Sequence, residues 1–232
     1  MKVAILQSNY IPWRGYFDLI HDVDIFVLYD DVQYTKNDWR NRNTIYPANG
    51  PQWLTIPVGD QIHLKIFEVP LPDPRWQGKH LRTLTQAYAK APFFSDLEPL
   101  LLEIYRDVQW KTLSELNAAL IRKISARLGI STQIVDSRDF SAVGGRVERL
   151  LSILTQIGAS HYISGPAAQG YLAGHETEFA DRCIHLEFKK YPAYPEYPQR
   201  GKTYVPAVSV IDLIANVGLE DAPKYIWQHD PV

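Results

Sequence analysis

The chain has 232 residues, with 24 Lys and Arg against 26 Asp and Glu and a formal net charge of −2. This balance excludes a global positive field that would attract nucleic acid, and 46% hydrophobic residues exclude a disordered polar chain. The single cysteine, Cys183, excludes an internal disulfide and a cysteine-based zinc site. No apolar run approaches the roughly 18 residues of a membrane helix, and no signal-peptide pattern follows Met1. We therefore expect a cytoplasmic protein without stable membrane insertion.

The first elements predict a strand, helix, strand unit. Residues 3–6 are typical of a buried strand, residues 7–15 of a loop that enters a helix, and residues 24–29 of a second strand. Such a unit normally makes two parallel neighbours, and ligands collect beyond the carboxyl ends of the strands. Those ends carry residues 7–13 and 30–43, which we treat as candidate site segments.

The pattern changes in the middle of the chain. Residues 43–69 contain short strand-like runs at 44–46, 53–57 and 64–69, separated by Gly and Pro, which predicts an antiparallel β insertion. Residues 76–128 predict a helical segment, with helices near 76–90, 96–108 and 113–128. Ser95 and Thr112 each stand three residues before a glutamate, so both are candidate capping-box residues.

An α/β alternation resumes after Gly129. It predicts two strands at 132–135 and 161–164 around a helix that ends at Gly158, then a strand at 184–188 and a helix at 209–217. The segment 191–204 carries prolines at three-residue spacing, which remove helix donors, so we expect an ordered loop over an apolar surface. We predict one α/β domain over residues 1–232, with a Rossmann-like parallel-sheet core, the β insertion and the helical segment.

The first candidate site segment follows the first strand. Polar groups placed after a buried strand need partners, which a bound ligand can supply. The alternative is that the aromatic residues only pack the first helix. No P-loop and no G-x-G-x-x-G motif occurs. The substrate-binding candidates here are Gln7, Asn9, Tyr10, Trp13 and Tyr16.

The second candidate segment brings both signs of charge together after the second strand. A carboxylate there, Asp30 above all, can hold a metal, orient a sugar hydroxyl or accept a proton, and the basic residues can neutralise phosphate; the spacing alone does not support a two-metal site. The alternative is a salt-bridged surface loop. Besides Asp30 as a catalytic candidate, the binding candidates are Asp31, Gln33, Lys36, Arg40, Asn41, Arg42 and Asn43.

Two further positions complete the candidate site. His80 shares a helix face with Tyr88 and is our candidate acid/base, because imidazole changes its protonation near neutral pH; a structural histidine is the alternative. Ser164 and Gly165 follow a predicted strand and are binding candidates, since small residues let a ligand approach the backbone. The remaining histidines, His229 among them, lack metal-ligand spacing, so we predict no metal site.

Several spaced motifs together resemble the WbqC-like proteins along residues 2–218. They are Gln7-x-x-Tyr10-x-Pro12-Trp13-x-Gly15-Tyr16-Phe17, Asp30-Asp31-Val32-Gln33-Tyr34, Asn41-Arg42-Asn43, Trp53-Leu54-Thr55-x-Pro57-Val58, Lys79-His80-Leu81, Ala91-Pro92-Phe93 and Tyr162-x-Ser164-Gly165. Members of this family are similar to proteins encoded in bacterial O-antigen (lipopolysaccharide) and other surface-polysaccharide gene sets.

The resemblance implies a role in building activated sugars or modifying them. On that basis we expect a transferase that acts on a nucleotide-linked amino sugar, for example by N-acyl or aminoacyl transfer from an unidentified donor. His80 or Asp30 would then remove the amine proton, and the basic residues would hold phosphate. It implies no particular cofactor.

A more distant layout is similar to the nucleotidyltransferase and pantothenate-synthetase superfamily. Trp13 and Tyr16 occupy the places of the two histidines in its H-x-G-H motif. Two alternatives therefore stay open: an ATP-dependent nucleotidyltransferase or ligase, and a non-catalytic subunit that binds a sugar nucleotide.

Overall fold

The computed structural model describes residues 1–227, so His229 lies outside the described residues. The strands and helices, in chain order, are β1 (Lys2–Leu6), α1 (Arg14–His21), β2 (Ile25–Leu28), β3 (Arg42–Ile45), β4 (Gln52–Thr55), α2 (Arg75–Tyr88), α3 (Phe94–Tyr105), α4 (Leu113–Arg127), β5 (Gln133–Asp136), α5 (Arg146–Ile157), β6 (His161–Ser164), α6 (Gln169–Leu172), α7 (Glu176–Ala180), β7 (His185–Phe188) and α8 (Val210–Asp221). Within residues 1–227, no helix is both long enough and apolar enough to cross a membrane.

Five strands form one parallel sheet in the order β5-β2-β1-β6-β7. Successive residues of β1 face opposite sides: Ala4 packs into one hydrophobic cluster, and Val3 and Ile5 pack into the other. Both faces are therefore covered, as is usual for a parallel sheet. The predicted α/β class with a Rossmann-like sheet is confirmed.

The β insertion is a separate antiparallel pair, β3 and β4. The strand expected at 64–69 is wrong: Lys65 makes only an isolated bridge with Gln33, and Ile66–Glu68 is a 3-10 turn. The cause is local, because the Glu68 carboxylate accepts the Lys65 backbone N–H at 2.8 Å and closes the turn.

The helical segment follows the predicted order. Thr112 caps α4 by accepting the Glu115 backbone N–H, and Glu115 accepts the Thr112 N–H at 3.1 Å, so this capping box is confirmed. Ser95 is not a cap, because α3 begins at Phe94, one residue before it.

The segment 191–204 contains no helix or strand, as expected. It covers the side chain of Trp13, whose ring meets those of Tyr191 and Tyr194 edge-on at 5.1 and 5.9 Å between centroids. The buried Arg14 guanidinium anchors the segment by donating to the Pro195 carbonyl at 2.8 Å and the Tyr204 hydroxyl at 2.6 Å.

Strand order reverses at β1, because the chain adds β2 and β5 on one side and β6 and β7 on the other. Loops that leave β1 and β6 at their carboxyl ends therefore separate and leave a crevice. In open α/β sheets, this is the place where ligands bind.

Candidate functional site

A cleft of about 790 Å³ opens at the carboxyl ends of β1, β2 and β6. Its volume lies within the range of about 300–1,000 Å³ that is usual for small-molecule sites. The sequence-predicted residues that line it are Gln7, Asp31, Gln33, Arg40, Ser164 and Gly165.

The cleft is rich in positive charge. Arg40, Arg146 and Arg149 line it together with a single carboxylate, that of Asp31. The chain as a whole carries a formal charge of −2, so this concentration of guanidinium groups is local. Such a cluster favours an anionic ligand, and guanidinium groups match phosphate oxygens in geometry as well as charge.

Arg149 is held in place from several sides. Its Nε donates to the Tyr29 hydroxyl at 3.2 Å, its Nη1 donates to the Ala142 carbonyl at 3.0 Å, and its Nη2 pairs with Asp31. Asp31 also accepts a hydrogen bond from the Ser137 hydroxyl at 2.8 Å. These bonds keep the guanidinium at the cleft wall before any ligand binds.

Arg146 is less constrained. It begins α5, is exposed, and lies with its guanidinium carbon 3.4 Å from the centroid of the Tyr171 ring. In the described part of the chain, no acidic side chain forms an ion pair with Arg146. Its charge is therefore available to a ligand in the cleft.

Arg40 lies at the boundary of the cleft and is largely buried. Its Nη1 donates to the Asn9 side-chain oxygen, and its Nη2 lies 3.5 Å from Asp38. Its Nε is buried and has no hydrogen-bond partner in the described residues. A buried donor of this kind is costly to leave unpaired.

The end of β6 offers open backbone. Gly165 has φ −65° and ψ 152°, and a methyl group added there would meet no atom within 4 Å. The Ser164 hydroxyl is buried and donates to the Tyr162 hydroxyl at 3.2 Å. Gln7 lines the opposite wall, and its side chain has no hydrogen bond to another residue in 1–227.

Asp30 is enclosed, unlike its neighbour Asp31. It accepts hydrogen bonds from the Ser8 backbone N–H at 2.8 Å, the Ser8 hydroxyl at 2.7 Å and the Ser114 hydroxyl at 2.5 Å. Burial raises the pKa of the Asp30 carboxyl, while the three hydrogen bonds oppose that shift. The carboxylate ties the loop after β1 to β2 and α4, and it does not line the cleft.

His80 lies away from the cleft, beside a different pocket that it shares with Thr55 and Lys79. Its Nε2 lies 3.1 Å from the Thr55 carbonyl, an acceptor, so Nε2 carries the proton. Its Nδ1 then accepts from the Tyr10 hydroxyl at 2.7 Å, and Tyr10 lies 2.5 Å from the Tyr105 hydroxyl. Burial lowers the pKa of His80 to about 4, so the ring is neutral near pH 7.

Three other candidates support the backbone from buried positions. The Tyr16 hydroxyl donates to the Gln7 carbonyl at 3.0 Å, and the Asn41 amide donates to the Ile56 carbonyl at 3.0 Å. The Tyr88 hydroxyl accepts the Tyr46 backbone N–H at 3.0 Å. None of these three side chains lines the cleft.

The last candidates lie outside the cleft near β3. Lys36 is exposed and pairs with Asp60 at 3.0 Å, and the Arg42 guanidinium lies 4.5 Å above the Trp53 ring. Asn9, Trp13 and Asn43 line a separate pocket of about 270 Å³. The structure therefore does not gather all predicted residues around one cavity.

Among the cleft residues that the sequence did not single out are two arginines and two tyrosines, Arg146, Arg149, Tyr29 and Tyr171. In the sequence, the two arginines lie on a charged helix face, a pattern that favours salt bridges over a binding role. A usable signal was their place in the first turn of a helix that follows β5, since that turn starts from the carboxyl edge of the sheet. In residues 1–227, no three His, Cys, Asp or Glu side chains form a group that could hold a metal ion.

Comparisons with known proteins match almost the whole chain. The model of the WbqC-like protein family matches residues 7–224. An uncharacterized protein of Mycobacterium tuberculosis, Rv1507c, is 44% identical over 227 residues, which are 97% of this chain and 97% of that protein. Both matches span the cleft and the region around His80. In agreement with its sequence motifs, the chain belongs to the WbqC-like protein family.

Proposed function

We propose that the cleft binds the phosphate groups of a nucleotide-linked amino sugar, and that the chain is a transferase acting on this sugar in bacterial surface-polysaccharide biosynthesis. The observation that carries the proposal is the set of three arginines around an open cleft at the reversal of strand order. The choice of sugar rests on the resemblance to proteins of O-antigen gene sets.

Each arginine has a distinct part in the proposed binding. Arg146 supplies a positive charge that has no acidic partner in the described residues, so no ion pair has to be broken when it binds phosphate. Arg149 is already oriented by Asp31 and Tyr29, which reduces the entropy lost on binding. Arg40 presents its guanidinium from the buried side of the cleft.

The other lining groups orient the ligand. The open backbone at Gly165 allows a phosphate or sugar oxygen to approach closely, and the Gln7 amide offers both a donor and an acceptor. These contacts fix orientation, whereas the arginines supply most of the affinity.

Transfer to the sugar amine requires a proton acceptor. The amine nitrogen bonds to the carbonyl carbon of an activated acyl donor, the donor's leaving group departs with its bonding electrons, and the amine proton passes to a base. His80 and Asp30 are buried and do not line the cleft, so we assign this proton to Asp31, which does line it. Each Asp31 oxygen retains a further lone pair.

The enclosure of His80 and Asp30 also favours a second candidate, a non-catalytic subunit that presents a sugar nucleotide to a partner enzyme. Such a subunit needs the cleft to bind the sugar nucleotide, but it needs no residue that accepts a proton. The ATP-dependent nucleotidyltransferase or ligase predicts instead that the cleft prefers ATP and that pyrophosphate is released.

Calorimetry against ATP, acyl-CoA and UDP- or dTDP-linked amino sugars separates these candidates. We expect the sugar nucleotides to bind, and Arg146→Gln to weaken them about tenfold by loss of one charge-assisted contact. Arg82→Gln is the matched control, because Arg82 is exposed on α2 and its replacement removes the same charge from another part of the surface.

Equal affinities in the two variants, or no binding by the wild type, would contradict the proposed site. Product analysis of each sugar nucleotide mixed with each donor then tests transfer. Binding without any product would favour the non-catalytic candidate, and preferential ATP binding with pyrophosphate release would favour the nucleotidyltransferase or ligase.

A further inference from the structure

The pocket of about 270 Å³ near α1 has aromatic walls. It is lined by Asn9, Trp13, Trp39, Asn43 and Ala207. Two indole rings and a methyl group make it mostly apolar, in contrast to the arginine-rich cleft. Pockets of this composition bind ligands with an apolar face and use a few polar groups to orient them.

One wall depends on a glycine. The Trp13 ring lies so close to the backbone of α1 that a Cβ at Gly15 would be 2.3 Å from it. Tyr191 and Tyr194 hold the same ring from the side of the segment 191–204. The Trp13 wall is therefore rigid before a ligand binds.

The opposite wall is exposed. Trp39 is 44% exposed, which is unusual for the largest apolar side chain. Its ring lies 5.7 Å from that of Trp53, which is itself 50% exposed but does not line the pocket. An exposed indole beside a rigid one leaves a gap with a hydrophobic surface that no residue in 1–227 fills.

The turn between Asn9 and Trp13 is strained. Ile11 is buried and has φ +35°, a conformation that a β-branched residue rarely adopts. Such strain costs about 1–3 kcal/mol and occurs mainly at functional sites. The Asn43 amide stabilises the turn by donating to the Tyr10 carbonyl at 3.1 Å and to the Ile11 carbonyl at 2.9 Å. Backbone strain at Ile11 thus accompanies the placement of Asn9 and Trp13 in the pocket.

Arg40 connects this pocket with the cleft. Its guanidinium lines the cleft and also donates to the side-chain oxygen of Asn9, which lines the pocket. Arg40 therefore contacts both cavities. No hydrogen bond within residues 1–227 uses the Nδ2 donors of Asn9, so they remain for a ligand.

We infer that the aromatic pocket binds the sugar ring of the same nucleotide-linked sugar whose phosphates lie in the cleft; this inference rests on the proposed function. A pyranose ring has an apolar C–H face that fits an indole, and hydroxyl groups at its rim that bond to the Asn9 amide. In this placement the amino group of the sugar faces the cleft, where Asp31 accepts its proton. The sugar is bonded directly to phosphate, whereas the base is separated from phosphate by a ribose. Because Arg40 contacts both cavities, the sugar is the part of the ligand that fits the pocket.

The test compares each nucleoside diphosphate with its sugar conjugates. Affinities for UDP and dTDP, and for UDP- and dTDP-linked hexoses and amino hexoses, are measured by calorimetry on the wild type, Trp39→Ala and Trp53→Ala. We expect Trp39→Ala to weaken the best-bound sugar conjugate about tenfold and to leave the affinity for the diphosphate unchanged. Trp53→Ala removes the indole that packs against Trp39 from outside the pocket, so it should weaken the sugar conjugate less than Trp39→Ala does and leave the affinity for the diphosphate unchanged.

Each other outcome has a defined meaning. Equal weakening of diphosphate and sugar conjugate by Trp39→Ala would place the nucleoside in the pocket and overturn the inference. Diphosphate binding that is neither improved by any sugar nor changed by Trp39→Ala would overturn the sugar site and leave the phosphate cleft intact. Failure of all ligands to bind the wild type would overturn both proposals. Thermal melting verifies that both variants are folded.

Discussion

The open cleft and the buried surroundings of Asp30 and His80 contain similar types of polar residue in opposite roles. Asp30 and Asp31 are adjacent after β2, yet Asp30 is buried with three protein donors and Asp31 faces the cleft beside Arg149. His80 likewise has both ring nitrogens occupied by protein partners. Arg146 has no acidic partner in the described part of the chain.

The difference shows that residue type does not decide whether a polar group is structural or functional. A buried group whose bonds are complete stabilises the fold and has nothing left for a ligand. A polar group at the open edge of the sheet keeps hydrogen-bond donors or acceptors that water or a ligand must satisfy. The following predictions test that distinction.

Asp30→Ala should have the largest effect, on stability. It leaves the Ser8 backbone N–H and the hydroxyls of Ser8 and Ser114 without their acceptor in a buried site. We expect the free energy of unfolding to fall by about 3 kcal/mol or more, because each of the three unpaired buried donors costs about 1–3 kcal/mol. Urea denaturation measures the loss. A change under about 1 kcal/mol would mean that these donors find other partners.

His80 should stabilise the protein in a pH-dependent manner. Its pKa is about 4 in the folded protein and 6.5 in its ordinary state, so the unfolded chain takes up the proton first as the pH falls. The stabilisation is complete above pH 6.5 and is lost towards pH 4, by about 3 kcal/mol at 1.36 kcal/mol per pKa unit.

Urea denaturation from pH 4 to pH 7 checks this, with His80→Gln as the comparison. The stability of the wild type should fall by about 3 kcal/mol more than that of the variant as the pH drops. Burial raises the pKa of Asp212 to about 6, but this group titrates in both proteins and cancels in the difference. If the free energies of unfolding of the wild type and the variant changed in parallel with pH, His80 would not be kept neutral in the folded protein.

Much of the fold could be predicted because its signals are local. The strands of the sheet are short apolar runs, and the capping box at Thr112 is encoded within four residues. The expected strand at 64–69 failed because one side chain, Glu68, closes a turn that the strand-like run does not reveal.

The site was harder to predict because its partners are distant in sequence. Ser114 encloses Asp30 across 84 positions, and Tyr10 occupies His80 across 70. No local pattern shows such pairing. That Gln7 and Ser164 lie close together could be predicted, because strand ends meet at one edge of a parallel sheet, whatever their separation along the chain.

Arg149→Lys tests whether the guanidinium geometry of this cleft residue matters in addition to its charge. The variant keeps the charge but cannot donate to Tyr29, Ala142, Asp31 and a phosphate at the same time. We expect about tenfold weaker binding of the sugar nucleotide and a loss of stability near 1 kcal/mol. Calorimetry and urea denaturation measure the two effects, with Arg82→Lys as the control. Unchanged affinity would mean that charge alone is sufficient at this position.

Gly165→Ala should have the smallest effect and gives the most direct test of the cleft. The backbone at Gly165 is compatible with alanine, and the new methyl meets no protein atom within 4 Å, so stability should not fall. A ligand that approaches this backbone would collide with the methyl, and we expect about fivefold weaker binding, near 1 kcal/mol. Gly170→Ala is the matched control, because its methyl also meets nothing within 4 Å and Gly170 does not line the cleft. Equal affinities in the two variants, measured by calorimetry, would place the ligand away from the end of β6.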